Sequence, residues 1–369
     1  MEIREGNVEI TVPDQSTEGV GEEVFYNPEM ELNRDITIGV LRAYQNRESR
    51  ASTYLDGMAA TGIRGVRAAN EGWDVTLCDI DDHAISLCRD NLSQNDLSGE
   101  VIQRNVNSLL HDNGRVFDVV DIDPFGTPIP FADAAFQNTR DLVCITATDT
   151  APLCGAHFKS GKRKYSAIPR NTEYHPEMGL RILLSALVRT AARYDIALSP
   201  ILSHVTDHYV RTYVELNQSA TAANAVLEEL GYIFHCPECL WRDHAQGFIP
   251  DSPSVCPHCD SDQILSAGLV WLDTIAETTF LKSVRKRLTS EMTTYNRAIK
   301  TLNQISKQLP TPTHYDQHRL YKRWNLPATD MDEFLASIRN EGFQASRTQY
   351  GGTTFKTTAS ISDLESIFK

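Results

Sequence analysis

Cys236-Pro-Glu-Cys239 and Cys256-Pro-His-Cys259 are separated by sixteen residues. Each C-x2-C pair folds as a turn that presents two thiolates, and two such turns fill the four positions of a tetrahedral zinc ion. No position is left open for a reaction, so the metal implied is structural. Thiol–disulfide exchange is the competing use of such pairs. His235, His244 and His258 read as parts of the surrounding turns. The remaining cysteines, Cys78, Cys88, Cys144 and Cys154, are scattered among apolar neighbours and read as core thiols of a reducing compartment.

A second group of residues is suited to holding a ligand and acting on an amine. Asp56-Gly57-Met58-Ala59-Ala60-Thr61-Gly62-Ile63-Arg64-Gly65 offers small residues where backbone N–H groups can approach a carboxylate or phosphate at a helix start. It departs from the dinucleotide pattern G-x-G-x-x-G, having alanine at position 60, and a tight strand-to-helix turn would look similar. Asp79, closing the next strand, is placed to accept both hydroxyls of a ribose; it can also serve as a helix cap. Asp123-Pro124-Phe125-Gly126 separates a methyl donor from a hydride carrier. The lone pair of an exocyclic base amine is delocalised into its ring. A carboxylate and the Pro124 carbonyl can accept its two hydrogens, bring the lone pair out of conjugation and leave Asp123 to take a proton. Phe125 can stack on the base. The bland alternative is a strand end with a core phenylalanine.

These residues need a frame, and the apolar pattern supplies one. Val8, Ile10 and Val12 alternate as in a strand, and residues 33–47 carry apolar positions at helical spacing. From residue 53 strands at 53–56, 74–79, 101–102, 117–123 and 142–147 alternate with helices at 65–71 and 82–91, the latter capped by Asp81 or Asp82. Such alternation predicts a parallel sheet wrapped by helices, with its ligand at the carboxyl ends of the strands. Further on, the sequence predicts a helix at 176–194, strands at 197–205 and 209–216, and a helix at 218–230. A basic helix over 274–308 and a linker at 309–312 follow. The last part, 314–369, reads helix, turn, helix (331–341) and two short strands around Gly351-Gly352, an order that suits a winged-helix-like module.

The chain has 369 residues, enough for two or three domains, and 41% apolar residues, enough for a core. No apolar run is long enough for a membrane span, and the charged, alternating start MEIREGNVEITV argues against a secretory signal. The net charge of −14 is uneven: residues 1–150 hold 11 basic and 27 acidic groups, the remainder 24 and 22. Lys159, Lys162, Arg163, Lys164 and Arg170 lie in a stretch without acids. From Lys282 to Arg323 ten basic residues face only Glu291 and Asp316. Contact with a polyanion depends on where cations cluster, although basic runs are often only solvated faces.

Taken together the chain resembles the archaeal tRNA guanine-26 N2-dimethyltransferases over nearly its whole length. The likeness rests on Phe25-Tyr26-Asn27-Pro28, Asn33-Arg34-Asp35, Ala60-Thr61-Gly62-Ile63-Arg64-Gly65, Asp123-Pro124-Phe125-Gly126 and Ala345-Ser346-Arg347-Thr348. It implies that Arg34, Arg64 and Asp79 bind S-adenosylmethionine. Asn105 and Val106, where the family more usually has an Asp-Ala pair, would contact the same donor. Asp123 and Phe125 would act on the target base, with Phe25 nearby. The implied reaction methylates the N2 amine of guanosine 26 in tRNA, usually twice, after that base has been turned out of the folded tRNA. The fold implied is α/β: a Rossmann-like class I methyltransferase sheet over 1–225, then a C-terminal α+β domain over 226–369. That domain holds the Zn2+-binding insertion, 236–259, and the winged-helix-like tail, 314–369. A monomer in the cytoplasm is expected, with tRNA as partner and no membrane association. The same chemistry on an amine of another base in DNA or rRNA, or a non-catalytic zinc-containing tRNA-binding protein, are the alternatives. A nicotinamide dehydrogenase is a more distant alternative, because nothing in the sequence supplies a hydride-transfer site.

Overall fold

Val8, Ile10 and Val12 do form one apolar face, as half of a hairpin. β1 (Glu2–Glu5) pairs antiparallel with β2 (Val8–Thr11), and all three apolar side chains are buried. The computed structural model that gives this picture describes residues 1–13 and 24–369. Asn27 caps a short turn at Pro28–Met30 by accepting from the Glu29 N–H at 2.9 Å. Helix α1 (Glu31–Arg47) then begins, two residues before the position its periodicity predicts.

From there β3 (Thr53–Asp56), α2 (Ile63–Asn70), β4 (Asp74–Asp79), α3 (Asp82–Gln94), β5 (Glu100–Gln103), α4 (Val106–Asn113), β6 (Phe117–Ile122), α5 (Ile129–Asn138) and β7 (Thr139–Ala147) alternate as expected. Asp81 is the cap of α3, accepting from His83 and Ala84. After α6 (Thr150–Leu153), α7 (Phe158–Tyr165) and α8 (His175–Ala192) come β8 (Ile196–Thr206) and β9 (Tyr209–Gln218). A seven-stranded sheet has the order β5-β4-β3-β6-β7-β9-β8. Strands β3 to β7 pair in parallel, with Asp56 opposite Asp121 and Ile122 opposite Ile145. β3 and β6 are neighbours although five elements separate them in sequence. At such a switch point the loops leaving adjacent strands diverge and open a crevice at their carboxyl ends. The loops after β3 and β6 are the glycine-bearing loop and Asp123-Pro124-Phe125-Gly126.

The rest of the chain is α9 (Ala220–Leu227), β10 (Leu230–His235), β11 (Arg242–Gln246), β12 (Leu265–Trp271), α10 (Thr278–Arg287), α11 (Tyr295–Lys307), β13 (Tyr315–Asp316), α12 (Gln317–Trp324), α13 (Met331–Asn340), β14 (Ala345–Arg347), β15 (Thr354–Thr357) and α14 (Ile361–Phe368). The single basic helix expected over 274–308 is two helices. Leu288 takes an extended ψ of 140°, and the hydroxyl-rich stretch that follows finds partners outside a helix. There Thr294 donates through its N–H and its hydroxyl to Asp35.

Contacts divide the chain into two compact units: Met1–Thr146 with Tyr213–Asn217 and Glu277–Leu302, and Ala147–Thr212 with Gln218–Ala276 and Asn303–Lys369. In the second, β10, β11 and β12 form an antiparallel sheet beside the cysteines. The segment 315–368 has its own core around Leu320, Trp324, Phe334, Ile338, Phe355 and Leu364, under a sheet of order β13-β15-β14. Among the described residues no helix is long and apolar enough to cross a membrane.

Candidate active site and metal centre

The glycine-bearing loop is shaped by close backbone approach. The Gly57 N–H donates to the Asp121 carbonyl at 3.0 Å, and a Cβ on Gly57 would stand 2.9 Å from that oxygen and 3.0 Å from Val106 Cγ2. Gly62 has φ +75°, and a Cβ there would meet Leu77 Cδ2 at 2.9 Å. Ala60, where the dinucleotide pattern has glycine, takes φ +48°. A left-handed alanine costs roughly 1–2 kcal/mol. Its N–H is in turn held by a charge-assisted bond to Asp79 Oδ2 at 2.9 Å. Asp79 Oδ1 accepts from the Asp81 N–H at 3.1 Å, so this carboxylate joins the loop to the end of β4.

Helix α2 starts without a side-chain cap from Gly62. Its orphan donor at Gly65 is satisfied from below by Asp56 Oδ2, at 2.9 Å. Asp56 is enclosed. Burial pushes its carboxyl up to about 7, the register partner Asp121 adds to the rise, and Arg64 opposes it. Tyr54 donates to Asp121 at 3.0 Å.

Arg64 and Asp123, expected on the donor and base sides respectively, meet directly. Arg64 Nε donates to Asp123 Oδ2 at 2.9 Å, and a second guanidinium nitrogen donates to the same oxygen. Asp123 Oδ1 accepts nothing from the described residues, and the side chain is 19% exposed. Pro124 ends β6 and Gly126 takes φ +85°, which turns the chain so that Phe125 stands 75% exposed. Phe25 is 50% exposed, and its ring meets that of Phe125 edge to face, with centroids 4.6 Å apart. Two large apolar rings touching each other in solvent mark a surface built for a ligand.

Arg34 belongs to a different network. Its guanidinium pairs with Glu5, donates to the Asn27 carbonyl at 3.1 Å and lies over the Tyr26 ring. Arg67 bridges Glu5 to Asp35, and Tyr26 donates to Glu5 at 2.8 Å. This buried network fixes the base of the Phe25 loop. Asn105 caps α4, accepting from the Asn107 and Ser108 N–H groups, while Val106 is buried under Gly57. Sequence reading missed Glu5, Arg67, Asp56 and Asp121. Asp56 had a signal, an acid closing a strand just before a glycine loop; Glu5, 29 residues upstream of its partner Arg34, had none.

The four clustered cysteines converge. Their sulfur atoms all lie within 4.8 Å of one another, with Cys236–Cys259 at 3.7 Å and Cys239–Cys256 at 3.4 Å. Each turn repeats one pattern: the first cysteine's N–H and carbonyl bond the chain after the second, and Leu240 and Asp260 take positive φ. A tetrahedron with metal–sulfur bonds of about 2.3 Å has edges of roughly 3.8 Å, which these thiols fit. The separations exceed a disulfide's roughly 2.05 Å.

The family model for N2,N2-dimethylguanosine tRNA methyltransferase matches residues 6–369. A tRNA (guanine(26)-N(2))-dimethyltransferase of Halobacterium salinarum is 58% identical over 367 residues, covering 99% of both chains. One from Methanosarcina mazei is 40% identical, covering 99% of this chain and 97% of its own. Among solved structures, Trm1 from Pyrococcus horikoshii in complex with S-adenosyl-L-methionine is 32% identical, covers 100% of both chains and superposes with a TM-score of 0.89.

Proposed function

The chain belongs to the N2,N2-dimethylguanosine tRNA methyltransferase family, and from that premise we propose that it methylates the N2 amine of guanosine 26 in tRNA. The methyl source is S-adenosylmethionine, which supplies, when bound, a methyl group on a positively charged sulfur. On the donor side Asp79 faces the ribose hydroxyls, Asn105 and Val106 the adenine, and Arg64 and Arg34 line the wall. The observation that carries the reading is that Asp123 Oδ1 accepts nothing from the described residues, two positions before the exposed Phe125 that meets Phe25.

The guanine enters turned out of its helix, with Phe125 against its face and Phe25 at the edge. Asp123 Oδ1 and the Pro124 carbonyl accept the two N2 hydrogens, which frees the nitrogen lone pair from the ring. As the N2–methyl bond forms, the carbon–sulfur bond breaks and its electron pair stays on sulfur. The N2 proton passes to Asp123 Oδ1 while Arg64 keeps Oδ2 in place. Holding amine and methyl in contact removes much of the barrier of a bimolecular encounter. After one methyl has been added, one N2 hydrogen remains for a second turnover.

We further read residues 1–225 as the methyltransferase domain and 226–369 as a C-terminal domain with a structural Zn2+ in 236–259. The order β13-α12-α13-β14-β15 supports a winged-helix-like tail over 314–369. We also read it as a monomeric, cytoplasmic enzyme; the compartment is in keeping with cysteines that form no disulfide among the described residues. The test is mass spectrometry of unmodified tRNA incubated with enzyme and S-adenosylmethionine. Dimethylguanosine is expected at position 26 and is absent from a transcript carrying adenosine there. Methylation that persists in that transcript, or that falls on adenine or cytosine, overturns the reading.

A further inference from the structure

In a chain of net charge −14 many guanidinium groups are committed: Arg42 to Glu71, Arg47 to Glu215 and Glu277, Arg242 to Glu173, Arg347 to Asp332. Helix α12 presents a different face. His318, Arg319, Lys322 and Arg323 are all exposed on one face, while Leu320, Tyr321 and Trp324 on the other enter the core of the tail. Arg319, Lys322 and Arg323 form no ion pair among the described residues. Lys322 and Arg323 suit the helix carboxyl end, but Arg319 stands in the first turn, where a cation opposes the helix dipole. The helix is held firmly: Asp316 caps it through the Arg319 N–H at 3.0 Å, and Trp324 Nε1 donates to Glu365 at 3.0 Å.

Helix α13 is the opposite. It follows α12 after a turn that begins at Asn325, in left-handed conformation, and so occupies the place of the second helix of a helix-turn-helix, which in DNA-binding modules lies in the groove. Yet Asp330, Asp332 and Glu333 surround its start and Glu341 its end, all exposed. A phosphate backbone would be repelled there. Lys159, Lys162 and Arg163 on α7 are exposed too. So are Lys282, Lys286 and Arg287 on α10. Among the described residues α12 differs in setting its cations next in sequence to an acidic helix in the reading position.

We propose that the exposed face of α12, and not α13, binds the sugar–phosphate backbone of the substrate tRNA, with Arg319, Lys322 and Arg323 as phosphate contacts and His318 as an added donor. This rests on the tRNA reading above. It assigns the tail a backbone-gripping role without base readout, which suits an enzyme that must accept many tRNAs sharing one guanosine.

The experiment uses the full chain with Arg319→Ala, Lys322→Ala and Arg323→Ala combined, and measures tRNA binding by filter retention between about 50 and 200 mM salt. Each phosphate contact contributes roughly 0.7–0.9 to the slope of log affinity against log salt. The triple variant is expected to lose about 2–3 from that slope and on the order of tenfold or more in affinity, with KM for tRNA raised and kcat at saturating tRNA kept. The control Glu333→Gln with Glu341→Gln is expected to bind no more weakly than wild type. Unchanged slope and affinity in the triple variant overturn the proposal. If the wild type binds tRNA but fails to methylate position 26, the functional reading falls, and the binding comparison still decides the role of α12. Should the triple variant not fold, acetylation of Lys322 in the wild type decides: tRNA is expected to protect it, and equal acetylation with and without tRNA overturns the assignment.

Discussion

Asp56 in the first unit and Glu177 in the second are both enclosed carboxylates, yet their surroundings are opposite. Asp56 has the acid Asp121 opposite it in the sheet and, among the described residues, a backbone N–H as its hydrogen-bond partner. Burial, with Asp121 behind it, pushes its carboxyl up to about 7. Glu177 lies among cations. Arg181 at 2.9 Å, Lys356 at 2.7 Å and His314 at 2.9 Å all reach it, and Lys356 also donates to the Thr311 carbonyl. Burial alone would raise Glu177, but Lys356, Arg181 and His314 outweigh it and hold the carboxyl well below the usual range. Even beside this anion, burial brings the Lys356 ammonium down to about 8. One centre is balanced internally and ties the tail to α8. The other sets one acid opposite another, and its carboxyl keeps a proton over much of the range in which Glu177 is charged. Cations relieve the one buried acid and a proton relieves the other.

Breaking the balanced centre should have the largest effect. Glu177→Gln leaves Arg181 and Lys356 buried without a counter-charge, and a loss of about 3–5 kcal/mol is expected by denaturant unfolding. Donor affinity of the folded fraction should be unchanged. A loss under about 1 kcal/mol would remove the contrast.

The unbalanced centre predicts a pH signature of the opposite sign. Between the ordinary carboxyl range and about 7 the folded chain binds more protons at Asp56 than the unfolded chain, so stability falls as pH rises through that window. Glu177 works the other way: its contribution is present above the ordinary carboxyl range and is lost as pH falls through its depressed value. Asp56→Asn keeps an acceptor for the Gly65 N–H and removes the charge. It should gain up to about 4 kcal/mol over wild type near pH 8 and almost nothing near pH 4. An equal effect at both pH values would show that Asp56 carries no proton in the folded chain.

The smallest expected effect is on the exposed rings. Phe125→Leu removes a stacking partner worth about 1–3 kcal/mol, so kcat/KM for tRNA should fall roughly tenfold to a hundredfold. The melting temperature should barely move, because the ring lies 75% exposed. A large loss of stability with normal kcat/KM would make Phe125 a packing residue.

Much of the frame was legible in the sequence. The strands at 53–56 and 74–79 begin and end where their apolar runs do, because each is bounded by turn-forming or charged residues. Both cysteine turns could be read from spacing alone. The break between α10 and α11 could not, since it depends on Asp35, far away in sequence, capturing Thr294. At the site, residue types predicted the acid and the aromatic of the 123–126 run. The Arg64–Asp123 pair and the Phe25–Phe125 contact join residues about 60 and 100 positions apart, and no local pattern encodes them. The Glu5–Arg34–Arg67 network escaped for the same reason.

The central claim is that Asp123 Oδ1, which accepts nothing from the described residues while Arg64 holds Oδ2, accepts from the target amine. Asp123→Asn would keep an oxygen for Arg64 and turn an N–H2 group toward the substrate, replacing the acceptor with a donor. Single-turnover methyl transfer to tRNA, with donor affinity measured by calorimetry on the same variant, tests this directly. A rate reduced on the order of 10²–10⁴-fold, with donor affinity within about tenfold of wild type, is predicted. A rate within tenfold of wild type would contradict the account.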